Sequence, residues 1–343
     1  MRIGFSFWGF LGPGIVDTPD GGRFWRRAKV EELLARGHDI VLLQADRDRT
    51  EAGHSLPYTW DPGFPDIDLL YCEWRWPLPG RNTTPCGTAG HTCDLHRQDK
   101  LISHYTHALS TPTVLWDTDR QITADEPLRR VPHVVVCDPA VHPAHGAVSV
   151  MTMIPDALID AADPARLAAR PRRLALAYVG NQYDRDQAFD KFFAVAAGQF
   201  PHRVAGKWTR TEQWPHVNFT GRCAFDEVTG IYQDALTTVL LMPDRYSSVG
   251  AISQRLAESV LAGCLPITPA TLIGGTRITP PQLHAADTAT VVERIRWAER
   301  IDGTDEHARV IADCLTHLDP LRMSRQVDVL EQVMTSLVHL YHR

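Results

Sequence analysis

Five segments in the second half of the chain place a basic residue shortly after an apolar run. They are residues 180–185, 206–207, 221–222 and 243–246, and the start of a predicted helix that carries Arg255. Three of the five begin with glycine, which lets a ligand approach the backbone closely. Arginine and lysine side chains, with backbone N–H groups at helix starts, bind and neutralise diphosphates. The pattern therefore predicts a diphosphate site.

Arg255 and Glu258 are three residues apart at the start of this predicted helix, so both project from one face. The arginine can bind a diphosphate, and the carboxylate can accept hydrogen bonds from both hydroxyls of a ribose. The alternative is an ordinary ion pair on a solvated helix face, which is the commoner role of an isolated pair with this spacing.

Asp117 and Asp119 directly follow another apolar run and are the first candidates for a general base. A carboxylate there can take a proton from an acceptor hydroxyl. Either aspartate can instead cap a helix or form a turn, and the sequence leaves the choice between the two open. Asp17, Asp20 and Glu73 are the next candidates.

Three tryptophans and a segment with cysteines and histidines are further candidates for binding. Trp8, Trp74 and Trp76 lie at predicted strand ends, where they either belong to the core or stack on a ring of an acceptor. A further segment combines two cysteines and two histidines, but its spacing fits none of the common zinc patterns, so we predict no metal site. Its residues are Cys86, His91, Cys93 and His96.

These candidates need an α/β framework, and the chain has that pattern twice. In the first half, strands are predicted at 1–7, 39–43, 67–72, 113–116, 133–137 and 148–154, and helices at 22–36 and 94–109. After a predicted linker at 155–173, strands are predicted at 174–179, 202–205, 217–220, 238–242 and 265–267, and helices at 185–198, 225–235, 253–262 and 324–342.

The predicted fold class is therefore α/β, with two Rossmann-like domains facing a central cleft at the carboxyl ends of their strands. We expect an N-terminal acceptor-binding domain at 1–160, a nucleotide-sugar-binding domain at 172–320, and a C-terminal helix within 321–343. That helix either crosses back to the first domain or packs on its own.

Composition excludes several classes of protein. The 343 residues are 44% hydrophobic and 22% charged, which is typical of a folded globular protein. A net charge of -6 disfavours nucleic acid as a partner. The seven cysteines are typical of reduced thiols. No signal peptide or membrane-length apolar run is present, so we expect a cytoplasmic protein without a membrane partner. The oligomeric state stays open.

Residues 179–266 resemble the DNA β-glucosyltransferase family of T-even bacteriophages, which are inverting GT-B enzymes that use UDP-glucose. The resemblance depends on the order and spacing of short motifs. They are Val179-Gly180-Asn181, Gly206-Lys207, Phe219-Thr220-Gly221-Arg222, a loop with Tyr246, and Arg255-Leu256-Ala257-Glu258 leading into Ala262-Gly263.

The resemblance implies that Arg255 and Glu258 bind diphosphate and ribose. It also implies a base at the strand end that carries Asp117 and Asp119, a UDP-sugar co-substrate, no tightly bound cofactor, and a divalent metal that is at most stimulatory. The expected donor-binding residues are Gly180, Asn181, Arg185, Lys207, Arg222, Cys223, Tyr246, Arg255 and Glu258.

The chain also departs from that family. The phage enzymes have an acidic residue early in the first helix that contacts the sugar, whereas this chain has Gly22, Arg23 and Trp25 there. They are basic and bind DNA, whereas this chain is acidic. We therefore expect transfer of glucose from a UDP-sugar to a small-molecule hydroxyl, with inversion, in natural-product biosynthesis.

Two alternatives share the expected donor site, a sugar-nucleotide epimerase and a DNA-modifying glucosyltransferase. A dinucleotide-dependent oxidoreductase is disfavoured, because Gly9, Gly12 and Gly14 do not form the G-x-G-x-x-G fingerprint. A periplasmic binding protein would need an export signal.

Overall fold

The computed structural model describes residues 1–11, 21–78, 82–83, 85, 88–89 and 94–341. Contacts divide the chain into two compact units. Unit 1 comprises residues 1–155 and 323–343, and unit 2 comprises residues 156–322. None of the helices in these described ranges is both long and apolar enough to cross a membrane.

Unit 1 contains a sheet of seven strands in the order β3-β2-β1-β4-β5-β6-β7. Every neighbouring pair is parallel, so the carboxyl ends of the strands lie along one edge. The strands are β1 (Arg2–Ser6), β2 (Asp39–Leu42), β3 (Thr59–Trp60), β4 (Leu69–Glu73), β5 (Thr113–Trp116), β6 (Val134–Asp138) and β7 (Val148–Ser149).

The helices of unit 1 connect these strands and cover the sheet. They are α1 (Arg26–Ala35), α2 (Asp46–Ala52) and α3 (Asp94–Leu101), which continues as a π-helix (Ile102–Ala108), with 3-10 turns at Gly21–Phe24 and Pro127–Arg130. The C-terminal helix (Met323–Tyr341) also belongs to this unit. Its buried Leu330 and Met334 join the core with Val30 and Trp116.

Unit 2 contains a five-stranded sheet in the order β12-β11-β10-β8-β9, again with parallel pairs throughout. The strands are β8 (Leu174–Val179), β9 (His202–Ala205), β10 (Ala235–Val239), β11 (Leu265–Pro269) and β12 (His284–Ala285). The predicted fold class, α/β with parallel sheets, is therefore confirmed.

Most helices of unit 2 are short. They are α4 (Asp156–Asp160), α5 (Pro164–Ala168), α6 (Asp186–Phe189) followed by a π-helix (Asp190–Ala194), α7 (Val195–Ala197), α8 (Glu227–Gln233), α9 (Asp244–Ser247), α10 (Arg255–Leu261), α11 (Thr288–Ile301) and α12 (Asp305–Leu318). Further 3-10 turns lie at Gly275–Arg277, Pro281–Leu283 and Asp319–Leu321.

Several predicted segments differ from the structure in extent or in secondary structure. At 217–220 the structure has only an isolated bridge between Phe219 and Val204. The strand predicted at 148–154 ends at Ser149, because the N–H of Met151 donates to the Gln326 side chain instead of to a strand (2.7 Å). The predicted linker contains α4 and α5, which belong to unit 2.

A buried ionic network ties α1 to the end of β4. Lys29 Nζ lies 2.9 Å from Glu73 Oε1, and Arg26 Nη2 lies 2.9 Å from Glu73 Oε2. Lys29 also donates to the Tyr71 hydroxyl (3.0 Å) and lies 4.2 Å from the Trp116 ring centre. Burial lowers the pKa of Lys29 to about 8, while Glu73 opposes the shift. One carboxylate thus compensates two buried cations.

We predict that Glu73→Gln strongly destabilises the protein, because two buried cations lose their shared counter-ion. The expected loss is about 3 to 5 kcal/mol in the free energy of unfolding, measured by urea denaturation. Lys29→Met should cost less than about 1.5 kcal/mol, since Glu73 keeps Arg26 and methionine packs well among aromatic rings. Equal losses in the two variants would contradict this account of the network.

Candidate functional site

Two loops at the carboxyl ends of β8 and β9 are joined by side-chain hydrogen bonds. Asn181 Oδ1 accepts from the N–H of Lys207 (2.7 Å), and the N–H of Gln182 donates to the Lys207 carbonyl (3.0 Å). The Trp208 indole donates to the Gly180 carbonyl (2.7 Å). The sequence-predicted Gly180 and Asn181 therefore shape the loop through their backbone and side-chain contacts, and the Lys207 side chain is left exposed.

Glycine is required at two positions of these loops. A Cβ atom on Gly206 would lie 2.1 Å from the Gly180 carbonyl oxygen, which is backbone and cannot turn away. A Cβ atom on Gly180 would lie 2.6 Å from Nε and Nη2 of Arg255. The two glycines therefore let the loops approach each other and let the Arg255 guanidinium lie against the backbone.

Arg185 and Arg255 converge on this loop pair. Arg255 Nε donates to the Val179 carbonyl (2.6 Å), and its Cζ lies 5.6 Å from the centre of the Tyr178 ring. Arg185 Nη1 donates to the Asn181 carbonyl (2.6 Å) and to the Tyr178 hydroxyl (3.0 Å). Both guanidinium groups are thus fixed by neutral oxygens at the end of β8.

Neither guanidinium forms an ion pair with a carboxylate of any residue that the structure describes. Arg185 is 7% exposed, and its Nε is buried without a hydrogen-bond partner. Burial lowers the pKa of Arg185, and the neighbouring charge of Arg255 lowers it further. Two close cations that no carboxylate contacts directly repel each other, so the arrangement favours a bound anion.

Glu258 lies on the first turn of α10 with Arg255, yet the ordinary ion pair considered for this spacing does not form. Its carboxylate is half-buried and makes no hydrogen bond or ion pair with the described residues. Burial raises the pKa of Glu258 to about 7, and Arg255 opposes the shift. An unoccupied carboxylate beside an anion site can accept a pair of hydroxyl groups.

The remaining predicted donor-binding residues differ in how exposed they are to solvent. Tyr246 is half-buried on α9, near both Arg185 and Arg255. Arg222 is exposed, and Cys223 is half-buried with a thiol pKa that burial raises. The structure thus brings Gly180, Asn181, Arg185, Tyr246, Arg255 and Glu258 together, with Lys207, Arg222 and Cys223 on the loops that follow β9.

In unit 1, the two candidate aspartates after β5 have different environments. Asp117 is buried, and its Oδ1 and Oδ2 accept from the N–H groups of Gln121 (2.8 Å) and Ile122 (2.7 Å). Burial raises the pKa of Asp117 to about 6, although both hydrogen bonds oppose the shift. Asp119 is the more exposed residue, at the tip of the same turn. Asp117 therefore forms the turn that presents Asp119.

Of the next candidates for a base, the structure describes only Glu73, and that residue is already engaged in ion pairs. Both oxygens of Glu73 are engaged by Arg26 and Lys29, and its side chain is only 2% exposed. Asp17 and Asp20 lie outside the described residues.

The three tryptophans do not form one group. Trp8 and Trp76 follow the neighbouring strands β1 and β4 and meet edge to face, with ring centres 5.7 Å apart. Trp74 packs instead on a separate apolar cluster that includes Cys72 and Leu115. Trp8 is only 9% exposed and belongs to the core, whereas Trp76 is half-buried, so Trp76 is the more accessible ring.

Most of the segment with cysteines and histidines lies outside the residues that the structure describes. Cys86, His91 and Cys93 are not among the described residues, whereas His96 is. Within the ranges that the structure does describe, no group of three or more His, Cys, Asp or Glu side chains could hold a metal ion.

Sequence reasoning missed three contributors to these sites. Tyr178 was part of a predicted buried strand, yet its hydroxyl orients Arg185. Arg120 and Asp138 form an ion pair beside the turn of Asp119. An arginine directly after the aspartate pair was the only local signal for this contact.

No protein-family model and no curated protein sequence matches the chain. Solved structures do match it over nearly its whole length. One is the β-glucosyltransferase of phage T4 in complex with UDP and Mn²⁺, with 11% identity, coverage of 97% of this chain and 99% of that chain, and a TM-score of 0.65.

Two further solved structures show the same similarity. AviGT4, a glycosyltransferase involved in avilamycin A biosynthesis, is 12% identical, with coverage of 98% of both chains and a TM-score of 0.58. HepE from Anabaena, in complex with UDP and glucose, is 10% identical, with coverage of 98% of this chain and 100% of that chain and a TM-score of 0.57. The chain therefore has the GT-B fold of these proteins, and the predicted likeness to the phage enzyme is confirmed.

Proposed function

We propose that the protein is a glycosyltransferase that moves a sugar, glucose in the first instance, from a UDP-sugar to the hydroxyl of a small molecule. The observation that carries the proposal is the pair Arg185 and Arg255, two guanidinium groups fixed beside glycine loops without a carboxylate partner. A diphosphate supplies the missing negative charge. The shared fold supports the proposal, because solved proteins with that fold hold UDP.

In the donor complex we assign the diphosphate to Arg185 and Arg255 and the ribose hydroxyls to Glu258. Two fixed cations next to the leaving group stabilise the charge that develops on UDP as its bond to the sugar breaks. This makes a divalent metal unnecessary for neutralising UDP, and we expect such a metal to be at most stimulatory.

We assign the base to Asp119 and a turn-forming role to Asp117. In the transfer, the carboxylate takes the proton of the acceptor hydroxyl while the acceptor oxygen bonds to C1 of the sugar. The bond between C1 and the UDP oxygen breaks, and UDP leaves from the opposite face, which inverts the configuration. Asp119 is preferred because it is more exposed than Asp117, whose buried carboxylate oxygens bind backbone N–H groups.

For the acceptor we propose a small molecule with a ring, bound at the half-buried Trp76, which Trp8 supports edge to face from the core. The role of AviGT4 in avilamycin A biosynthesis is consistent with a natural-product acceptor. The second candidate is DNA, because a solved β-glucosyltransferase of this fold is described as a DNA-modifying enzyme. The net charge of -6 disfavours it. Saturable binding of duplex DNA at submicromolar protein and low salt would overturn the small-molecule acceptor.

A sugar-nucleotide epimerase of the same fold would use the same donor site and no acceptor. It would convert a UDP-sugar without an acceptor, whereas the proposed transferase needs one for turnover. A screen of acceptors against released UDP separates the two activities.

We predict that the protein binds UDP in preference to NAD, and that Arg255→Ala weakens UDP binding at least tenfold. The reason is that a charge-assisted contact to phosphate contributes about 1.5 to 3 kcal/mol. Calorimetric titration measures both affinities. Arg173→Ala is the matched control. The exposed Arg173 directly precedes β8, at the end of that strand opposite to the proposed donor site, and it pairs there with Asp234. Tight NAD binding without a UDP response would contradict the transferase.

We predict that the affinity for UDP-glucose rises with pH between 6 and 8. The carboxylate of Glu258 must be ionised to accept ribose hydroxyls, and burial sets its pKa at about 7 in the free protein. Binding lowers this pKa, so affinity should be about tenfold weaker at pH 6 than at pH 8. UDP-glucose is the suitable ligand because it lacks the terminal phosphate that titrates near pH 6.

Glu258→Gln is the control for this pH dependence. The variant should bind more weakly at pH 8 and show little change in affinity across the range. A slope equal to that of the unmodified protein would remove Glu258 from the donor site.

We predict that Asp119→Asn lowers turnover by about two to four orders of magnitude and leaves UDP affinity intact, because a general base acts only in the transition state. Asp117→Asn should reduce stability more than turnover, since an amide cannot accept both backbone N–H groups. Steady-state kinetics with an identified acceptor, together with calorimetry, measure both effects. Full turnover in both variants, or a loss only in Asp117→Asn, would contradict the assignment.

A further inference from the structure

The turn that carries Asp119 is closed on both sides of that residue. Before it, Asp117 binds the N–H groups of Gln121 and Ile122. After it, the N–H of Arg120 donates to the Asp117 carbonyl (3.3 Å). The backbone at Asp119 is therefore held from both sides, and the direction of its carboxylate depends on how residues 117 and 120 are held.

Arg120 occupies the left-handed region of the backbone, with a φ of 55°. A residue with a Cβ atom adopts this conformation rarely and keeps it only when surrounding contacts hold it there. The contact that the structure provides is an ion pair between Arg120 Nη1 and Asp138 Oδ2.

Asp138 is a firm anchor for this pair. It ends β6, the strand next to β5, and its side chain is only 5% exposed. Its Oδ2 also accepts from the N–H of Ala144 (3.0 Å). The N–H of Asp117 donates to the carbonyl of Cys137, the residue before Asp138 (2.9 Å). The turn is thus attached to β6 at both of its ends.

The pair is not an ordinary surface contact. Arg120 Nε and Asp138 Oδ1 are both buried without a hydrogen-bond partner. Burying these groups is costly and gains little stability compared with apolar residues, so their function is better sought in the geometry that they impose.

We propose that Arg120 and Asp138 are positioning residues for Asp119, holding the strained turn in the conformation that presents its carboxylate. The inference rests on the proposed role of Asp119 as the base. Its physical content, that the ion pair fixes residues 117–122, can be measured without any activity.

The primary test is Asp138→Asn, which keeps a side-chain oxygen for the N–H of Ala144 and removes only the negative charge that pairs with Arg120. We expect kcat to fall roughly 10- to 100-fold, the effect of misplacing a reacting group by about 1 Å, with KM for UDP-glucose and UDP affinity unchanged. Hydrogen exchange measured by mass spectrometry should show faster exchange of the amides in residues 117–122.

Arg120→Gly is the second variant, because glycine adopts the left-handed conformation without strain and lacks the ion pair. If the two residues act together, the double variant Arg120→Gly with Asp138→Asn should lose no more kcat than either single variant. Arg120→Lys should restore part of the turnover. The matched control is Arg27→Ala, which removes the exposed ion pair with Glu31 on α1 and should change neither measurement.

The outcomes separate this inference from the proposed function. Unchanged kcat and unchanged exchange at 117–122 in Asp138→Asn overturn the positioning role. Additive losses in the double variant overturn it as well. If the unmodified protein transfers no sugar, or Asp119→Asn keeps full turnover, the proposed function or its base fails, and exchange alone then decides whether the ion pair holds the turn.

Discussion

The cost of placing a guanidinium or ammonium group away from water governs two clusters of this protein, one in each unit. In unit 1, Arg26 and Lys29 are buried at the end of β4 and share the carboxylate of Glu73. In unit 2, Arg185 and Arg255 lie at the end of β8 without a carboxylate partner among the described residues. A compensated cluster can be structural, whereas a cluster without a direct ion pair favours an anion from outside.

The backbone around the uncompensated pair follows from this requirement. Because the guanidinium of Arg255 lies against the loop, a side chain at residue 180 would push it away from the Val179 carbonyl. The neighbouring Gly206 is fixed in turn by the carbonyl of Gly180. Lysine would not serve at 255, since its ammonium lacks the planar fork that donates to the Val179 carbonyl and still presents N–H groups to a ligand.

The sequence predicts this framework well where apolar runs end sharply. Strands 113–116, 174–179 and 202–205 were predicted with the bounds that the structure has, since glycine or polar residues follow each run directly. The strand predicted at 238–242 ends at Val239 in the structure. The prediction ran too far because Leu240 and Leu241 continue the apolar run beyond the paired residues. Helices α11 and α12 were missed although Asp287 and Thr304 cap them through their side chains.

For the sites, residue types were predictable and individual roles were not. Glycine loops with arginines predict a diphosphate site from composition and order alone, and the diphosphate itself stays a prediction. The choice between Asp117 and Asp119 depends on where the N–H groups of Gln121 and Ile122 point, which is a property of the folded turn. The burial of Glu73 with two cations likewise depends on the packing of α1 against β4.

The departure from the phage family at the start of the first helix now has a physical cause. A Cβ atom on Gly22 would lie 2.1 Å from Nη2 of Arg26. That guanidinium is held by Glu73 and by the Phe10 carbonyl, so it cannot move aside without breaking the buried network. A side chain at 22 would therefore compete with Glu73 and the Phe10 carbonyl for this guanidinium. The start of the first helix thus serves the buried network in this chain, and the sugar contact that the phage enzymes make from their first helix stays unassigned here.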